Sequence, residues 1–140
     1  MVSPAAFVTF AALLLATAAA VHIYWALGGR RGHDAAIPSE DGKPMLRPGK
    51  LATLLVAALL LGAAILLLGG GDVIALPLPA AWETAACWGL ALVFAARAVG
   101  DFRYVGFFKR VRDTRFARLD SVFYSPLCVL LGLAAAVAAL

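Results

Sequence analysis

Charge is scarce in this chain. Acidic and basic residues make up 14% of its 140 residues, against about 25% in an ordinary soluble domain. Apolar residues reach 64%, and the mean hydropathy is +0.93. That composition excludes a soluble globular enzyme and a disordered tail. Cysteine is nearly absent too. Cys87 and Cys128 are the two present, both inside apolar stretches and not in a C-x-x-C pair. A disulfide scaffold is therefore excluded, and so is a thiol-exchanging, quinone-linked bundle, which needs paired reactive thiols. Buried, inert thiols are the expectation. Histidine is limited to His22 and His33, and His22 alone lies in an apolar run, so a bis-histidine haem bundle is excluded. Glu83, Asp101 and Asp120 sit toward the ends of apolar runs. A small proton-coupled exporter, which carries its proton on a central carboxylate, does not fit. No ligand cluster has metal-site spacing, and no Gly-x-Ser-x-Gly or phosphate-cradling loop occurs. Neither a metal nor a cofactor is expected.

What is present is apolar sequence in long runs. Residues 4–27 hold no charge and, at about 1.5 Å per residue, reach roughly 35 Å, enough to cross a bilayer with some tilt. The first charged residue is Arg30. The basic n-region of a cleaved signal peptide is thus missing, and an uncleaved span is expected. Further runs cover residues 51–68, 80–99 and 119–140. Gly69, Gly70 and Gly71 are read as stopping the second, with a turn through Pro77 and Pro79. Gly28–Gly29 should end the first helix. Thr114 or Asp113 should cap the fourth. Ile37–Pro44 has turn residues throughout and reads as coil. Pro126 should leave the Val122 carbonyl without its usual donor. The fold class expected is all-α: one transmembrane domain over residues 1–140, an integral membrane bundle of four helices.

The cations orient that bundle. Arg30, Arg31, Lys43, Arg47 and Lys50 lie between runs one and two. Arg97, Arg103, Lys109, Arg110, Arg112, Arg115 and Arg118 lie at or within the stretch between runs three and four, which accounts for all twelve. The positive-inside rule makes loops 28–50 and 101–118 cytoplasmic and both termini extracytoplasmic. The pI near 9.5 is explained by these loops rather than by nucleic acid, and the bilayer is the expected partner. The outer elements are too small to suggest a protein partner.

This topology carries His22, Tyr24, Trp25, Arg97, Asp101, Asp120, Tyr124 and Ser125 to the inner interface. Arg97 and Asp101 are four apart, as are Asp120 and Tyr124, the spacing of one helical face. Tyr24 and Trp25 also suit an aromatic belt. His22 and Asp120 are ionisable groups at or inside a span, where charge is costly unless paired. The segment from Gly100 to Arg110 interleaves Phe102, Tyr104, Phe107 and Phe108 with Arg103 and Lys109, a pattern suited to lipid headgroups.

The strings His22-Ile23-Tyr24-Trp25-Ala26-Leu27-Gly28-Gly29, Arg97-Ala98-Val99-Gly100-Asp101-Phe102-Arg103, Gly106-Phe107-Phe108-Lys109 and Asp120 with Tyr124-Ser125-Pro126-Leu127-Cys128 resemble a family of small bacterial four-helix membrane proteins catalogued only as a domain of unknown function. The resemblance implies a four-span protein of a bacterial inner membrane, and no reaction. Three readings stay open. In the first, the chain is a structural or accessory bundle whose polar cluster locks its helices. In the second, it binds an anionic lipid or isoprenoid-like amphiphile, with Arg97, Arg103 and Lys109 on the acidic group and His22, Asp120 and Tyr124 on polar parts. In the third, it is an enzyme on such a molecule, with His22 as general acid or base, Asp120 orienting it and Arg97 as the electrostatic stabiliser.

Overall fold

The computed structural model describes residues 3–140. Ser3 Oγ accepts the Ala6 N–H and Pro4 occupies the first turn of α1, Pro4–Ala26. Both are favoured helix-start signals. Leu27 closes the helix on the Ile23 carbonyl, and Gly28 turns the chain away at φ +100°. A short α2, His33–Ala36, precedes two two-residue strands, β1 Ser39–Glu40 and β2 Lys43–Pro44. They pair antiparallel, Ser39 with Pro44 and Glu40 with Lys43. This ribbon replaces the expected coil. Asp41 and Gly42 both take positive φ, the backbone a tight two-residue hairpin turn requires.

Helix α3 spans Lys50–Gly70 and α4 spans Ala80–Val99. Thr114, capping with its own hydroxyl, starts α5, Arg115–Leu119. One π-helical turn, Asp120–Tyr124, leads into α6, Ser125–Ala138. The glycines at the end of α3 do more than stop it, because the helix continues through Gly70. A Cβ there would lie 2.6 Å from Cys87 Sγ and 2.8 Å from the Ala138 carbonyl. Glycine permits that three-helix approach.

The long helices alternate in direction. Helix α1 packs most extensively on α3, and α4 on α6. At the terminal end, Val8, Ala11, Leu15, Leu67, Cys87, Leu131 and Ala134 form one buried apolar core. Three helices, Pro4–Ala26, Lys50–Gly70 and the continuous Arg115–Ala138, are long and apolar enough to cross a membrane. Leu13, Leu59 and Val122, one from each of these helices, are largely exposed, so each presents apolar side chains outward. Glu83 and Arg97 lower the hydropathy of α4, which is not in that set.

Candidate functional site

Asp120, the first residue of the π turn, is fully buried. A lone carboxylate there would be strongly penalised, and one with partners is tolerated. Its partners come from α4 and from the loop that follows it. Arg97, in the last turn of α4, donates from Nη2 to Oδ1 at 2.8 Å. The backbone N–H of Gly106 donates to Oδ2 at 2.7 Å, and Lys109 Nζ donates to Oδ2 at 3.0 Å. Lys109 is 2% exposed. Its other two N–H bonds go to the Gly106 carbonyl at 2.9 Å and Ser121 Oγ at 2.7 Å, so all three ammonium donors are used.

The loop between Val99 and Arg115 is shaped to deliver these groups. Gly100 and Gly106 have φ of +93° and +87° and pack against each other. A Cβ on Gly106 would run into the Val99 carbonyl. Phe107 N–H closes the loop on the Ala98 carbonyl at 2.9 Å. Asp101 does not reach Arg97 as a salt bridge. Its Oδ1 instead accepts the backbone N–H groups of Arg103, Tyr104 and Val105 at 2.7–2.9 Å. Burial pushes the Asp101 carboxyl up, but those three donors outweigh it and hold the group below the usual carboxylate range. Glu40 ties the other loop on. It accepts from Tyr104 Oη at 2.7 Å and lies 3.5 Å from Arg103 Nη2. The hydrogen bond to Glu40 is the main cause raising the Tyr104 hydroxyl above its ordinary value.

The match to known proteins is with the family described as "Protein of unknown function (DUF3995)", over residues 13–135. The chain belongs to that family. No curated protein and no solved structure matches it.

All ten candidate residues read from the sequence of this DUF3995 member lie inside the matched stretch. The structure brings Arg97, Lys109 and Asp120 together and leaves the others apart. His22 Nδ1–H donates to the Ala18 carbonyl of its own helix at 2.8 Å. Its ring meets Trp25 edge-on at 5.1 Å, and Trp25 meets His33 at 5.6 Å. Asp120 therefore does not orient His22. Trp25 Nε1–H donates to the Arg31 carbonyl, and Tyr24 stays exposed against Gly29. Tyr124 Oη donates to the Ala35 carbonyl at 3.3 Å rather than to Asp120. Ser125 is fully buried. Arg97, Arg103 and Lys109 do not converge on one anion site: Arg103 points to Glu40, and Lys109 is saturated. Sequence reasoning missed Gly106 and Ser121 as partners of the cluster. The signal for Gly106 was its pairing with Gly100 across a short loop. For Ser121 no signal was present beyond its place next to Asp120. Among the described residues, no group of three His, Cys, Asp or Glu side chains is placed to hold a metal.

Proposed function

We propose that this protein is a four-span structural or accessory bundle of a bacterial cell membrane, a single transmembrane domain in which the Arg97–Asp120–Lys109 cluster is an internal lock. The termini face outward and loops 28–50 and 101–118 face the cytoplasm. Helix α4 serves as the third span, with Glu83 and Arg97 near its two ends, where charged groups reach the interfaces. One observation carries the reading of a lock: a fully buried carboxylate receives three donors from α4 and the following loop. Each donor ties a separate backbone position to the start of the last span. The exposure of Leu51, Leu59 and Leu92 supports a hydrocarbon surround. The confinement of all twelve cations to the two loops and their edges supports the orientation.

Single cysteines in intact cells test this reading, on a background in which Cys87 and Cys128 are replaced by serine. Ser39→Cys and Arg112→Cys should resist a membrane-impermeant thiol reagent, and Asp72→Cys should react. Labelling of Ser39→Cys from outside would overturn the orientation.

A further inference from the structure

An apolar groove of about 420 Å³ follows the seam between α4 and α6. Ala91 and Ala95 line it from α4, and Cys128 and Gly132 from α6. Phe107 and Phe108 of the loop line it too. The groove exists because its floor is small. A Cβ on Gly132 would lie 3.5 Å from the Ala91 carbonyl, so the helices nearly touch there without filling the space beside them. No charged side chain lines it.

Three of its lining residues are chain neighbours of the buried cluster, Ala98 of Arg97, Phe107 of Gly106 and Phe108 of Lys109. The Gly106 N–H and Lys109 Nζ both bind Asp120. Two cations there share one carboxylate, which leaves one uncompensated positive charge. A third of the Arg97 side chain is exposed, although its Nη1 is buried without a hydrogen-bond partner. Arg110, next along the loop, is exposed. A low-dielectric wall beside excess charge draws counter-ions.

We infer that the groove seats one acyl chain of an anionic phospholipid, whose phosphate stays outside the buried cluster and is drawn by its net positive charge toward the exposed parts of Arg97 and Arg110. This goes beyond an internal lock and rests on the four-span reading, which sets the groove in hydrocarbon and the cluster at headgroup depth. A neutral lipid offers the same chain but nothing to the charge. A second copy of the chain would have to cover the groove with protein.

The test uses the full chain in nanodiscs. It is exposed in turn to phosphatidylglycerol and phosphatidylcholine carrying the same photoactivatable acyl chain, and adducts are mapped by mass spectrometry. The wild type should take phosphatidylglycerol label on the groove residues, several-fold above phosphatidylcholine. Inorganic phosphate should not compete. Ala95→Trp fills the groove and should lose the excess; Val129→Trp, on the groove's rim, serves if Ala95→Trp does not fold. Equal labelling by the two lipids, label spread evenly over the outer surface, unchanged labelling of the filled variant, or loss of the excess to free phosphate would each overturn the proposal. Protein–protein crosslinks through the groove would do so in favour of a second copy. Thiol accessibility at positions 39 and 72 reads orientation separately, so inverted topology with groove labelling intact would sink the orientation alone.

Discussion

Val8, Ala11 and Leu15 of α1, Leu67 of α3, Cys87 of α4 and Leu131 and Ala134 of α6 fill the terminal half of the bundle without a charged side chain. At the loop end, Arg97, Lys109 and Asp120 join α4 and its following loop to the start of the last helix with ions. In hydrocarbon the two halves are stabilised differently. An apolar contact between helices gains little from excluding water, because lipid tails are as apolar as leucine, so the terminal half relies on close packing and small residues. The loop end holds directional bonds whose breakage strands charge in a low-dielectric site. The loop end should therefore be the more sensitive to single substitutions.

Asp120→Ala is the harshest test of that contrast. It leaves the Lys109 ammonium buried with the Gly106 carbonyl and Ser121 Oγ as neutral acceptors. Loss of one partner from a fully buried pair costs about 3–5 kcal/mol, to be read as loss of stability in an SDS-unfolding titration. Gly106→Ala should follow. Its backbone lies in the left-handed region, and the added methyl displaces the amide that bonds Asp120. Such strain is worth on the order of 1–3 kcal/mol, and the same titration reads it. Leu67→Ala, in the apolar half, should cost about 1–2 kcal/mol, the packing part of a core truncation without the full transfer term. A loss as large as that of Asp120→Ala would erase the contrast.

The smallest effect is a pH dependence at Asp101. A carboxyl held low in the folded loop contributes stability that is fully present above the ordinary aspartate value of about 3.9 and is lost as pH falls through the lower folded value. The group is exposed, so the effect is local. Backbone amide exchange at Arg103, Tyr104 and Val105 should quicken below that window relative to the intrinsic rate. Asp101→Asn should remove the dependence.

Much of the scaffold was legible because it rests on composition. The apolar runs at 4–27, 51–68, 80–99 and 119–140 correspond to the long helices within a few residues. Gly28 and Thr114 act as the stop and cap that their chemistry suggests. The runs bring Asp120 to the same end of the bundle as His22 and Arg97, and of these it pairs with Arg97. The destination of Lys109 was not legible. A loop lysine ordinarily reaches water, and only the closure of Gly100 on Gly106 folds this one back under the helix ends. The π turn was also hidden. Pro126 signals a missing donor, but nothing in the pattern signals that the Ser125 N–H bonds the Asp120 carbonyl, five residues back. His22 looked chemical because an intramembrane histidine is rare, yet a local bond to the Ala18 carbonyl satisfies it.

The central claim, that Lys109 and Asp120 form an internal lock, is tested most directly by a double-mutant cycle on unfolding in SDS with Lys109→Met, Asp120→Asn and both together. Each single change leaves a buried group short of its partner, and the double change leaves two neutral ones. The double mutant should recover part of the summed loss, with a coupling of about 1–3 kcal/mol. Losses that simply add would show that the two charges do not hold each other, and the lock would be contradicted.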